Sequence, residues 1–156
     1  MRDLSRIKVM FFDFDNTLAI HERMCEIPDY TLKILEDPEN VYNQYTKPNA
    51  GIKLFLESFK STPKFCITLT TTSLEGEVKQ MWLDKNFSGE FSKTICTATL
   101  EEKVNVMCTY AKVFKLKPEE ILFVDDHVET TSLAKDAGVV VMTPQEIMNE
   151  IIEQLS

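Results

Sequence analysis

Apolar residues along this chain follow two alternating rhythms. Short runs rich in β-branched and aromatic residues lie at 7–12, 64–69, 93–97, 121–124 and 139–142. Between them, apolar positions recur at helical spacing. Ile52, Leu54, Phe55, Leu56 and Phe59 mark a helix over 48–60, and Val78, Met81, Trp82 and Leu83 mark one over 74–86. Val104, Met107, Cys108, Ala111 and Phe114 mark a third over 100–114. A fourth is expected at 129–137, closed by Gly138. The last, at 144–155, opens with Thr143 as N-cap and Pro144 in the first helical position. Strands alternating with helices predict an α/β domain with a parallel sheet, and runs that are apolar throughout fit strands buried on both faces. Right-handed crossovers then favour a doubly wound, Rossmann-like sheet of five strands in the order 3-2-1-4-5, with helices on both faces.

The stretch 19–47 breaks this alternation. It carries a helical candidate at 28–36, an acidic turn at 36–40 and the tyrosines Tyr30, Tyr42 and Tyr45. A structureless loop of that length is unusual in a compact domain, so a small, cap-like helical excursion over the strand ends is expected. The rest reads as one domain over 1–156.

Two of the apolar runs end in acid. The first leads into Asp13-Phe14-Asp15-Asn16-Thr17, and the fourth leads into Asp125-Asp126. Asp and Asn are depleted in strands, and an ionised carboxylate must be solvated, paired or bound to a metal. In the 3-2-1-4-5 order, strands one and four are neighbours whose carboxyl ends flank the topological switch point, where open α/β sheets bind ligands. The four acids therefore meet at one place. Clustered carboxylates repel unless a cation or proton sits among them. Oxygen-only ligands select a hard ion, which points to Mg²⁺ rather than zinc. The second strand runs into Thr68-Leu69-Thr70-Thr71-Thr72-Ser73, where hydroxyls and the amides of the following helix suit an anion. Lys103 lies near the start of the third helix, where the helix dipole disfavours a cation, so a functional role is expected for it. His127 reads as structural, and His21 with the tyrosines of 19–47 as loop packing.

Composition narrows the function classes. The 156 residues carry a net charge of −8 and show no Lys/Arg run. Such a chain offers no general attraction to nucleic acid or anionic lipid. No apolar stretch approaches the ~20 residues of a membrane span, and no secretory leader is visible at the N-terminus. The four cysteines show no CxxC spacing, and Cys66 and Cys96 sit within apolar runs as buried hydrophobes. A reducing, cytoplasmic location without disulfides is expected.

These motifs resemble those of the haloacid dehalogenase-like (HAD) superfamily, small or capless phosphatase type, across nearly the whole chain. The first motif reads Asp13-Phe14-Asp15-Asn16-Thr17, the second matches Thr70 with Thr68 and Thr71 as competitors, the third matches Lys103, and the last reads Asp125-Asp126. The resemblance implies a Mg²⁺-dependent phosphatase acting on a phosphomonoester. It makes Asp13 the nucleophile that forms an aspartyl-phosphate and Asp15 the general acid and base. Lys103 and Thr70, with Thr17 and Thr71, would bind the phosphoryl group. Asp13, Asp15 (through its carbonyl) and Asp126 would hold the metal, supported by Asp125. Many relatives carry another acid where this chain has Thr130, with Glu129 beside it. The excursion looks too small for a full cap, which leaves an open site. Such a site would suit a small phosphomonoester under a second subunit's lid, or a phosphoprotein or polymer end that covers the site itself. Two other classes compete: a metal-binding module of the same fold without catalysis, and a receiver-type signalling domain. The latter is disfavoured because the third strand ends Cys96-Thr97-Ala98-Thr99 with no phosphoacceptor acid.

Overall fold

A computed structural model describes residues 2–156. Strand β1, Val9–Phe12, forms the centre of the molecule and is buried at every position. It pairs in parallel with β4, Lys64–Leu69, on one side and with β6, Ile121–Val124, on the other. Strand β5, Lys93–Thr97, then borders β4, and β7, Val140–Met142, borders β6. The sheet order is β5-β4-β1-β6-β7. Counting only the five strands of this sheet, that is the 3-2-1-4-5 order expected from the sequence.

Because side chains alternate across a strand, β1 feeds two cores. Met10 and Phe12 join α3 (Ala50–Leu56), α4 (Ser73–Asn86) and α7 (Pro144–Leu155) through Ile52, Trp82 and Ile147. Val9 and Phe11 join α5 (Leu100–Val113) and α6 (Val128–Asp136) through Met107 and Ala134. The expected caps are present. Thr143 Oγ1 accepts from the amide of Glu146, and Gly138 adopts φ +86° just past α6, a conformation that L side chains resist.

Residues 19–48 depart from the expectation in two ways. A two-stranded antiparallel ribbon, β2 (Ala19–His21) with β3 (Thr46–Pro48), closes the base of the excursion. Above it stand two helices rather than one: α1, Tyr30–Glu36, and α2, Pro38–Tyr45. The acidic stretch is a helix start and not only a turn, since Asp37 caps α2 by accepting from the amide of Asn40 and Pro38 occupies the first turn. Cys66 is buried, but Cys96 is exposed, which corrects its reading as a core residue. Its strand, β5, lies at the sheet edge. No helix among the described residues is long and apolar enough to cross a membrane.

Candidate active site

The ladder between β1 and β6 sets the site. Val124 accepts from the amide of Asp13 (2.8 Å), so the acids that follow each strand emerge side by side. The chain then reverses at once. Leu18 and Ala19 both donate to the carbonyl of Phe14, and Asn16 takes a left-handed φ of 56°, which Asn tolerates. This tight turn keeps Asp15 at the mouth instead of carrying it away. The resulting cleft of about 180 Å³ is lined by Asp13, Asp15, Lys103, Asp125 and Asp126, with Thr68, Leu69, Leu100, His127 and Thr130. Larger hollows occur elsewhere, including one of about 440 Å³ between the N-terminal segment, α3 and α7. The chemistry of its lining, not its size, singles this cleft out.

Lys103 is its cationic centre. Thr99 caps α5 by accepting from the amide of Glu102, and the first full turn points Lys103 into the protein, where it is 3% exposed. Its Nζ donates to Asp13 Oδ1 at 2.7 Å and to Asp125 Oδ2 at 3.2 Å. Burial alone would lower its pKa, but the two carboxylates outweigh that and raise it. Asp125 Oδ1 accepts from the amide of His127 at 2.9 Å, so both of its oxygens are engaged. Asp13 is short of positive charge. Burial, then the charge of Asp125, raise its pKa to about 7 in spite of Lys103. Burial and the Asp125 charge also raise the pKa of Asp126. Asp13, Asp125 and Asp126 can each bring one oxygen within 4.8 Å of the others. Three carboxylates at that spacing, electrostatically under-compensated and without His or Cys among them, fit a hard divalent cation.

Asp15 has a different setting. His21 Nε2 lies 2.7 Å from its Oδ1, and Lys79 Nζ lies 2.9 Å from its Oδ2. Burial pushes its pKa up, but the His21 hydrogen bond and Lys79 together bring it down to about 2. Lys79 is fully buried; it also donates to Thr68 Oγ1 at 2.8 Å and pairs with Glu75 at 3.1 Å. Glu75 in turn accepts from the Tyr42 hydroxyl and from the amide of Thr71. Glu75 thereby occupies an amide in the loop just before α4.

The hydroxyls are therefore arranged differently from the expectation. Thr68 lines the cleft, whereas Thr70, Thr71 and Thr17 do not. Thr70 is half-buried and bonded through its amide to Thr97, and Thr71 is exposed. Thr17 is wholly buried, and its hydroxyl has no hydrogen-bond partner among the described residues. Thr130 is buried in the cleft wall with Oγ1 3.2 Å from His127 Nδ1, and Glu129 is exposed.

Sequence reasoning missed Lys79 and set aside His21. One signal for Lys79 existed. Glu75, Gly76, Val78, Lys79, Trp82 and Leu83 form the buried face of α4, so Glu75 and Lys79 are a charged pair at core positions of a helix. Nothing local marks His21, whose partner is fixed by the fold of the excursion.

No protein-family model matches the sequence. Nor does any curated protein match it. Solved structures do resemble it. A predicted phosphoglycolate phosphatase from Haemophilus somnus superposes with a TM-score of 0.59 at 17% identity, over 87% of this chain and 84% of that one. A HAD family enzyme from Bacteroides thetaiotaomicron, solved with magnesium and inorganic phosphate, gives 0.56 at 15% identity over 90% and 95% of the two chains. A haloacid dehalogenase-like family hydrolase from Xanthomonas campestris gives 0.60 at 12% identity over 86% and 81%. Identities this low speak to architecture alone: the chain has the haloacid dehalogenase-like hydrolase fold.

Proposed function

We propose that this protein is a Mg²⁺-dependent phosphohydrolase that cleaves phosphomonoesters through an aspartyl-phosphate on Asp13. The observation that carries this reading is Lys103 bridging Asp13 and Asp125 at the bottom of a cleft that Asp15 and Asp126 also line. A lysine beside a carboxylate nucleophile, with further acids to take a metal, is what phosphoryl transfer requires, because its catalysis is mostly positioning and charge stabilisation. The magnesium complexes among the structural neighbours support the choice of ion.

Asp13, Asp126 and the carbonyl of Asp15 would hold the metal. Asp125, with both oxygens already engaged, would orient Lys103. When bound, magnesium offsets the negative charge of the phosphoryl oxygens. The Asp13 carboxylate attacks phosphorus, and the bond from phosphorus to the leaving oxygen breaks. Asp15 passes a proton to that oxygen, and the phosphoryl charge arriving beside Asp15 favours its protonated form for this step. Asp15, now ionised, takes a proton from water. The water oxygen attacks phosphorus, the bond to Asp13 breaks, and inorganic phosphate leaves. Lys103 stabilises the transferring charge throughout, and Thr68, which lines the cleft, supplies a hydroxyl where the family resemblance favoured Thr70.

A cleft of about 180 Å³ accepts a phosphoryl group and a small leaving group, which favours a small phosphomonoester. We assign residues 19–48 as a minimal cap on a single core domain. Four free cysteines, two of them exposed, fit a reducing compartment such as the cytoplasm. The test is hydrolysis of p-nitrophenyl phosphate with Mg²⁺ and with chelator, for the wild type and Asp13→Asn. Metal-dependent turnover lost in the variant is the expected result. Turnover that persists in Asp13→Asn overturns the assignment of the nucleophile.

A further inference from the structure

The charges that hold Asp15 come from two different parts of the fold. Lys79 rises from α4 in the core domain, and His21 ends β2 at the base of the excursion. Each takes one carboxylate oxygen, so the group is gripped from both sides and cannot rotate freely. His21 is itself oriented. Its Nδ1 lies 2.5 Å from the Tyr30 hydroxyl, and the two rings pack edge to face. Burial, with the nearby Asp15 charge, raises the Tyr30 pKa to about 12, so its O–H remains a donor. The Asp15 carboxylate can only accept, so His21 presents an Nε2–H to it, and the Tyr30 hydroxyl against Nδ1 holds the plane of the ring.

The excursion that carries this pair is not free to swing. Tyr42 on α2 is 1% exposed and belongs to the same core as β1. Its ring meets Phe14 edge to face, its carbonyl accepts from the Trp82 indole, and its hydroxyl donates to Glu75. Phe14 also packs on Trp82, so the residue between the two motif acids is clamped by the excursion and by α4 together. Swinging the excursion away would break the main hydrophobic core.

We propose that His21 and Lys79 are positioning residues for Asp15, and that Tyr30 orients His21 from the excursion. The proposal rests on the phosphohydrolase reading, in which Asp15 hands a proton to the leaving group. Its signature is selectivity by leaving group. An alkyl phosphate needs that proton because an alkoxide leaves poorly, whereas p-nitrophenolate leaves without one. Comparing kcat/KM reports the steps up to departure of the leaving group and is blind to the later hydrolysis of the aspartyl-phosphate.

The experiment uses the full chain with Mg²⁺, glycerol phosphate and p-nitrophenyl phosphate, in wild type, His21→Ala and Tyr30→Phe. In His21→Ala the alkyl-to-aryl ratio of kcat/KM should fall about tenfold, a fraction of the ~10²–10⁴-fold that a positioned general acid contributes, because Asp15 itself remains in place. Tyr30→Phe should shift the ratio the same way by a smaller factor. A separate reading needs no turnover: His21→Ala should still bind beryllofluoride with Mg²⁺, which mimics the phosphoryl group on Asp13 and requires no proton transfer. Equal losses on both substrates, or loss of beryllofluoride binding, would make His21 a structural support and overturn the proposal. An unchanged ratio in both variants overturns it as well. If His21→Ala does not fold, the Tyr30→Phe ratio decides alone. Absence of turnover in the wild type would instead sink the phosphohydrolase reading itself.

Discussion

Lys103 Nζ lies 2.7 Å from Asp13 Oδ1, joining helix α5 to the end of strand β1 across 90 positions of sequence. The pair is buried, and the same ammonium holds Asp125. Such a pair costs desolvation on both sides, and its members depend on each other. Removing the lysine leaves two buried carboxylates facing each other without a cation. Lys103→Met should therefore lose phosphatase turnover and also unfold more easily, by about 3–5 kcal/mol in the absence of metal. Urea melts with and without Mg²⁺ would show this. Mg²⁺ should recover part of the loss, since it restores positive charge among the acids.

Asp13 ties stability to pH. Its folded-state pKa is raised to about 7 from a usual 3.8, so the folded protein binds this proton more tightly than the unfolded chain. The stabilisation is full below about pH 4 and is lost as pH rises through about 7. Metal-free wild type should accordingly show a Tm that falls from about pH 5 to about pH 8 as the carboxylate ionises. Asp13→Asn, which cannot ionise there, should have the flatter profile and the higher Tm at the alkaline end. A wild-type profile as flat as the variant's would contradict the charge imbalance described for the cluster.

Metal should stabilise the fold through the same acids. Binding to the native state alone adds about 2.7 kcal/mol at a hundredfold excess over Kd. A thermal-shift titration with MgCl₂ should raise Tm, and chelator should reverse it. Asp126→Asn should move the midpoint to higher Mg²⁺, because it removes an exposed carboxylate of the cluster without disturbing the Lys103 pairs. An unchanged midpoint in that variant would leave Asp126 outside the metal site.

Tyr42 fastens the excursion to α4 through a buried hydrogen bond to Glu75. Tyr42→Phe keeps the ring packing and leaves Glu75 paired with Lys79, so it should cost only about 1 kcal/mol. Equilibrium unfolding of the variant measures it. A loss several times larger would mean that the hydroxyl holds the Glu75–Lys79–Asp15 chain together, not merely the excursion.

Much of this molecule is written in local pattern. Runs such as Val9–Phe12 and Ile121–Val124, apolar on both faces, predict central parallel strands, and right-handed crossovers leave few orders, of which the doubly wound one is favoured. Once β1 and β6 are neighbours, the meeting of Asp13 with Asp125 and Asp126 follows, because each acid directly continues a strand whose register is set by backbone pairing. Lys103 was legible for a similar reason: it falls early in a helix that must begin where β5 ends.

What stayed hidden depends on which buried side chains meet, and periodicity does not encode that. By strand alternation Thr68 and Thr70 are expected on one face, and only Lys79, docking from α4, marks Thr68 as the hydroxyl that shares a partner with Asp15. His21 reads as a loop residue until β2 pairs with β3 and turns its ring toward Asp15. The sequence by itself determined the sheet, its order and the acids at its switch point, since hydrophobic period and strand continuation are local properties of the chain. Only the tertiary structure decided how Asp15 is held. Its partners Lys79 and His21 reach it across the packed contact between excursion and core, where the fit of α2 against α4 selects which charges come within hydrogen-bonding distance.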